Sequence, residues 1–147
     1  MSLVSPGYYP ARAVRIADER GDEVYAQFGR SSQKGTDQVA VVFEILEGEF
    51  EGRRLTWFGF FTEKTFERTI ESLRHCGFHG DDLMQLNNQQ LDQTVSIQVK
   101  HEEDHEFNTK ARIAWVNAPG GGGVVLKHPL THDEFRHFAA GMRAKIA

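Results

Sequence analysis

Apolar and polar residues alternate along two neighbouring segments near the middle of the chain. Residues 38–45 and 55–61 are rich in Val, Ile, Phe and Trp, a composition that favours β-strands. The link between them, residues 47–52, contains two glycines, so the pattern predicts a hairpin. Alternation places one apolar set on a single face of this hairpin: Val39, Val41, Phe43, Ile45, Leu55, Trp57 and Phe61.

The opposite face of the hairpin is unusual because it is also partly apolar. Its members are Ala40, Val42, Glu44, Arg54, Thr56, Phe58 and Phe60. A half-buried sheet normally presents a polar face to water. The second face therefore needs a cover, which can be another layer of protein, a partner subunit or a stacked ligand.

The remaining strands and the first helix follow from the same periodicities. A long polar loop, residues 18–37, precedes the hairpin, and a helix with Thr62 as its N-cap and Gly77 as its end follows it. The other predicted segments are a first strand over residues 8–17, a short turn over 81–86, a strand over 94–101, a polar loop over 102–108 and a last strand over 110–116.

The C-terminal segment has the pattern of an amphipathic helix. Thr131 and Glu134 form a T-x-x-E capping box, and Leu130 is placed to pack against Phe135. One apolar stripe then runs along the helix: Phe135, Phe138, Ala139, Met142 and Ile146. So much aromatic surface is unfavourable in water, so we expect the stripe to be covered, either by the chain's own barrel or by a second subunit. Of the two, we favour packing on the chain's own barrel.

The order of these elements predicts a mainly β fold with helices. Five strands with a helix between the third and the fourth are typical of the OB-fold barrel, whose second and third strands commonly bind single-stranded nucleic acid. We expect one domain over residues 1–147, with a core over 7–117, a glycine-containing connector over 118–130 and an appended helix over 131–147.

Composition narrows the classes of protein to which the chain can belong. The 147 residues suffice for one domain with a real core, and no apolar run is long enough for a membrane span or resembles a signal peptide. The single cysteine, Cys76, excludes an internal disulfide and suits a reducing cytoplasm. The net charge of −4 disfavours nonspecific binding to nucleic acid, although local basic pairs such as Arg53 with Arg54 and Lys110 with Arg112 remain able to contact phosphate.

Several short motifs resemble a known family. They are S-x-x-K-G-T at residues 31–36, Q-V-A-V-x-F-E-I at 38–45, E-G-x-x-x-x-W-F-G at 51–59, the helix end at Cys76-Gly77, and A-R-I-A-W-V-N at 111–117. On these motifs the chain resembles small bacteriophage single-stranded DNA-binding proteins. The resemblance implies an OB-fold barrel, a role in phage DNA replication or recombination, phage or host replication proteins as partners, and the cytoplasm of the infected host cell. One departure is the C-terminal helix, which stands where many such proteins have a flexible acidic tail.

Binding of single strands requires aromatic rings for the bases and cations for the phosphates. The hairpin offers Phe58 and Phe60 beside Arg54, and alternation on the last strand places Lys110 and Arg112 on one face and Ile113 with Trp115 on the other. The complete predicted set is Phe28, Arg30, Lys34, Arg54, Phe58, Phe60, Phe107, Lys110 and Arg112. The alternative is that the two hairpin rings pack beneath a helix and the cations are merely solvated.

Other chemistry has weaker support in the sequence. His101, Glu103 and His105 alternate as zinc ligands would, but an exposed polar loop explains them better. We expect Cys76 to be a buried structural thiol, and the glycines at 120–123 lack the Lys and Ser or Thr of a phosphate loop. We therefore expect no catalytic residue, metal or cofactor. The alternatives to a strand-binding protein are an OB-fold interaction module that forms homo-oligomers and, with less support, a metal-dependent nuclease.

Overall fold

The structure, a computed structural model, describes residues 3–30, 35–104, 106–119 and 131–146. Eight strands, two α-helices and one 3-10 helix occur in these ranges. They are β1 Gly7–Val14, β2 Ile16–Ala17, β3 Glu23–Val24, β4 Ala26–Arg30, β5 Asp37–Ile45, β6 Arg54–Phe60, α1 Phe66–Cys76, the 3-10 helix Leu83–Asn88, β7 Val95–Glu103, β8 Thr109–Asn117 and α2 His132–Ile146. The fold is mainly β with helices, as the sequence predicts.

Six strands form one antiparallel sheet around β5. Along one edge of β5, β4 pairs with its first half and β1 pairs with its second half, while β6 pairs along the other edge. Strand β7 pairs with β1, and β8 pairs with β7. Strands β6 and β8 lie next to each other, with α1 against both. No ladder joins them among the described residues, so the sheet is not the closed five-stranded barrel predicted from the sequence.

The predicted inner face of the hairpin forms the centre of the core. Val39, Val41 and Phe43 are fully buried, and Trp57 is only 5% exposed. The turn also follows the prediction, since Gly52 donates its backbone N–H to the Ile45 carbonyl oxygen at 2.8 Å. Gly52 has φ 86°, a conformation that other residues rarely adopt, which explains the glycine in the link.

The segment predicted as a loop, residues 18–37, is not entirely a loop. It contains β3 and β4, and β4 pairs with residues Asp37 to Val41 of β5. The polar, glycine-containing sequence of β4 gives little indication of a strand. It becomes one because β5 offers an unpaired edge whose backbone groups need hydrogen-bond partners.

Helix α1 begins one turn later than predicted. Its N-cap is Thr65, and the predicted N-cap Thr62 instead accepts a hydrogen bond from the Thr65 backbone N–H at 3.1 Å. The hydroxyl groups of Thr65 and Thr69 both donate to the Phe60 carbonyl oxygen, at 2.8 and 2.7 Å. These bonds attach the first turn of α1 to the end of β6. The predicted end at Gly77 is confirmed, with φ 122°.

Helix α2 is confirmed with its capping box. Thr131 donates its backbone N–H to Glu134 Oε1 at 3.0 Å, and Glu134 donates its own to Thr131 Oγ1 at 3.2 Å. The side chains of Phe135 and Phe138 are 57% and 53% exposed, so the prediction that they pack on the sheet is wrong. Leu130, the predicted partner of Phe135, and the connector from residue 120 lie outside the described residues, as does the side chain of residue 146. None of the described helices is long and apolar enough to cross a membrane.

Candidate nucleic-acid interface

The outer face of β6 carries two exposed aromatic rings. Phe58 lies opposite Ala40 and Phe60 lies opposite Gln38 in the β5–β6 ladder, and the rings are 52% and 39% exposed. In the described part of the chain no helix buries these rings, so the alternative that they pack beneath a helix does not hold there. Because Trp57, the residue before Phe58, is buried, the predicted assignment of the two hairpin faces is confirmed.

A β-bulge in β8 overturns one prediction about the last strand. Gln98 pairs with Trp115 while the next residue, Val99, pairs with Ile113, so Ala114 is an additional residue in β8. The bulge interrupts the alternation and turns Trp115 to the same outer face as Arg112, where its ring is 38% exposed. The alternation predicted that Trp115 shares a face with Ile113, opposite Arg112, but of the two only Ile113 is buried.

Trp115 meets a cation from helix α1. The Arg68 guanidinium lies over the indole ring, 4.4 Å from its centroid, in a cation–π arrangement. No carboxylate pairs with Arg68 among the described residues. Arg68 thus holds the ring in place and retains guanidinium N–H groups that can bind an acceptor.

These groups form one surface where β6 and β8 lie side by side. A shallow cleft at this junction is lined by residues that we name the seam surface: Phe58, Phe60, Arg68, Arg112 and Trp115. The base of the cleft is formed by Trp57, Gly59 and Thr69.

Gly59 is required by the packing at the base of this cleft. A Cβ atom at position 59 would lie 2.6 Å from the Trp57 ring and 2.8 Å from the Thr69 methyl group. Both distances are far below a van der Waals contact, so only glycine lets α1 approach β6 this closely. The close approach brings Arg68 of α1 to Trp115 of β8.

The predicted phosphate-binding cations are already paired with carboxylates. Arg112 lies 2.8 Å from Glu102, and the other pairs are Arg54–Glu44 at 3.2 Å, Arg30–Asp37 at 3.3 Å and Lys110–Asp104 at 3.4 Å. Lys34 lies outside the described residues. Exposed pairs of this kind contribute little stability, so phosphate can displace the carboxylates, but it must compete with them.

Phe28 and Arg30 belong to a different surface. Phe28 lies opposite the buried Val39, which places it on the other face of the sheet from Phe58 and Phe60. Its ring stacks on Phe61 at 6.3 Å, and Phe61 contacts Phe66 at the same distance. We name this second surface the aromatic groove, lined by Phe28, Arg30, Asp37, Phe61, Phe66 and Leu83. The residues of the predicted set therefore do not all lie on one surface.

Phe107 is presented by the tight turn between β7 and β8. Asp104 Oδ1 accepts hydrogen bonds from the Asn108 backbone N–H at 3.0 Å and from that of Glu106 at 2.9 Å. The bond from Asn108 contributes most to lowering the pKa of the Asp104 carboxyl. The bond from Glu106 and the nearby Lys110 lower the same pKa further. Phe107 has φ 62° and is exposed, but it does not line the seam cleft.

The described residues contain no group of three His, Cys, Asp or Glu that can hold a metal ion. Of the predicted trio, His101 Nε2 is hydrogen-bonded to the Val4 carbonyl oxygen at 2.8 Å, and His105 lies outside the described ranges. Cys76 is fully buried, and this burial raises the pKa of its thiol to about 12. The expected burial of Cys76 is confirmed.

Arg68 and Trp115 are the two residues of the seam surface that the sequence did not indicate. No local pattern distinguishes Arg68 from other arginines on a helix surface. The position of Trp115 depends on the bulge in β8, and no glycine in that part of the sequence indicates a bulge. In the comparisons with known proteins, no protein-family model and no curated protein matches the chain.

Proposed function

We propose that the protein binds single-stranded DNA through the seam surface. The order and pairing of its main strands support a partly open OB-fold. We assign β1, β5, β6, β7 and β8 to the five strand positions of such a fold, which puts α1 between the third and the fourth. In such folds the outer face of the second and third strands commonly holds the ligand, and here those strands are β5 and β6.

The observation that carries the proposal is the cluster of exposed aromatic rings where this face meets β8. Phe58, Phe60 and Trp115 line one cleft, and each is more than one third exposed. Exposed rings on a rigid sheet are well placed to stack against unpaired bases, and each stacked base contributes about 1–3 kcal/mol. Arg68 and Arg112 flank the rings and supply cations for the strand.

The ion pairs of the face determine the character of the binding. Glu102 already pairs with Arg112. A phosphate that displaces Glu102 therefore gains only the difference in interaction energy between the two anions. Stacking therefore contributes more of the affinity than phosphate contacts do. We expect the affinity to fall with added salt, but with a shallow slope that corresponds to few released counterions.

The test is a titration of fluorescently labelled oligo(dT) and of a duplex of equal length, each at two salt concentrations. We expect the single strand to bind well ahead of the duplex, with little dependence on base sequence, because stacking needs unpaired bases. Equal affinity for the duplex, or no binding of either, overturns the proposal.

The cellular role follows from the resemblance to small phage proteins. We propose that the protein coats and protects single strands during phage replication or recombination in the cytoplasm of the host. Protection of a single strand from nuclease digestion, at protein concentrations that saturate the strand, tests this role. Full digestion of a saturated strand contradicts it.

A second candidate function is that of an OB-fold interaction module that does not bind nucleic acid. The exposed rings of Phe135 and Phe138 on α2 favour it, because large apolar patches often mark sites of protein association. Self-association without any binding of oligo(dT) distinguishes this module from the strand-binding protein.

A further inference from the structure

The aromatic groove is an apolar surface on the opposite face of the sheet from the seam surface. Phe28, Phe61 and Phe66 form a continuous series of ring contacts, and Leu83 of the 3-10 helix completes the lining. Phe28 and Phe66 are each about half exposed, at 45% and 50%. Arg30 and Asp37, paired at 3.3 Å, form its polar margin.

Helix α2 carries an apolar surface of matching chemistry. Phe135 and Phe138 are more than half exposed, and Met142 lies on the same stripe one turn further along. An amphipathic helix of this kind binds through its apolar stripe to hydrophobic grooves. Both surfaces belong to one chain, so each copy carries an apolar groove and a helix with an exposed apolar face.

The charges around the two surfaces are also complementary. Exposed carboxylates adjoin the groove in the sequence, namely Glu63 and Glu67 near Phe66, and Asp81 and Asp82 beside Leu83. The exposed cations in the same two stretches are Lys64 and Arg68, and Arg68 is engaged by Trp115. Helix α2 carries Arg136, Arg143 and Lys145 against Asp133 and Glu134. At about 3.6 residues per turn, Arg143 and Lys145 lie on opposite sides of the apolar stripe. The helix therefore presents cations on both margins of the surface that would enter an acidic-rimmed groove.

We propose that helix α2 of one copy docks into the aromatic groove of a second copy, with Phe135 and Phe138 against Phe61 and Phe66. The single chain leaves the two rings of α2 in water instead of burying them in its own groove. Docking between copies buries both apolar surfaces at once. Because the two contacting surfaces differ, the arrangement is head-to-tail, and it propagates into a ring or an open chain of subunits.

The proposal does not depend on strand binding, so its test is carried out on the full-length protein without DNA. Sedimentation velocity over a range of micromolar concentrations measures association of the intact protein and of three variants. Phe66→Glu places a charge in the groove, Phe138→Glu places a charge on the helix, and Met84→Glu is the matched control at an exposed position that does not line the groove.

We expect the intact protein and the Met84→Glu control to associate with increasing concentration into species larger than a dimer. Each of the other two variants alone should associate about 30-fold more weakly, or not at all, as expected when a central interface residue is lost. An equal mixture of Phe66→Glu and Phe138→Glu should form a 1:1 dimer and nothing larger. In that dimer the intact helix of one variant occupies the intact groove of the other.

Three results overturn the proposal. If the intact protein stays monomeric while Phe138→Glu lowers its melting temperature, the helix packs within its own chain. If Phe138→Glu abolishes association but Phe66→Glu does not, two α2 helices bind each other. If the mixture of the two variants stays monomeric, the groove is not the receptor. Circular dichroism verifies the fold of each variant, and Phe66→Ala, which preserves helix α1, replaces Phe66→Glu if the charged variant does not fold.

Discussion

Replacement of Phe58 by alanine separates strand binding from stability. The Phe58 ring is 52% exposed on the outer face of β6, and in the proposed complex a base stacks on it. Loss of one stacked base costs about 1–3 kcal/mol, which raises the dissociation constant for oligo(dT) by about 5- to 150-fold. Full burial of a Phe side chain is worth about 1.5–3 kcal/mol, so a ring that is only half buried contributes about 1 kcal/mol to the stability of the fold.

The neighbouring residue provides the matched control. Trp57 is 5% exposed and packs against Gly59, so Trp57→Ala should lower the free energy of unfolding by about 3–5 kcal/mol. The two variants therefore have opposite profiles. Phe58→Ala binds weakly and remains folded, whereas Trp57→Ala is strongly destabilised, and its remaining folded fraction retains an intact Phe58.

The assay combines urea denaturation with a fluorescence titration of labelled oligo(dT). Denaturation gives the free energy of unfolding of each variant, and the titration is corrected for the folded fraction. A Phe58→Ala variant that loses several kcal/mol of stability, yet binds normally per folded molecule, would refute both the assignment of faces and the role of Phe58 in stacking.

Glu102→Gln should free Arg112 for phosphate, raise oligo(dT) affinity by up to about fivefold and steepen its salt dependence in the same titration. An unchanged affinity would show that Arg112 does not contact the strand. Gly59→Ala should lower the free energy of unfolding by about 1–3 kcal/mol in urea, since the added methyl group overlaps the Trp57 ring; an unchanged midpoint contradicts this packing. Cys76 should stay protonated at pH 8, well below its pKa of about 12, and react with a thiol reagent only after denaturation, so rapid labelling of the native protein argues against its burial.

Elements whose patterns are local could be recognised from the sequence. The alternation from Val39 to Ile45 has the period of a strand and correctly separated the buried face of the hairpin from the exposed one. The turn at Gly52, the helix end at Gly77 and the capping box at Thr131 each depend on residues that are close together in the sequence. Such interactions are encoded by neighbouring residues, so they can be recognised without knowledge of the rest of the fold.

Which residues form the candidate site depends on contacts between segments that are far apart in the sequence. The position of Trp115 depends on a bulge in the pairing of β8 with β7, and a shift of one residue moves a side chain to the other face of a sheet. The assignment of Phe28 to the groove depends on its pairing with Val39, at an edge of β5 that only the folded sheet provides. Arg68 reaches Trp115 because Gly59 allows α1 to approach β6 closely. Register and approach between distant segments are set by packing across the whole sheet, and the local periodicity of the sequence carries no information about them.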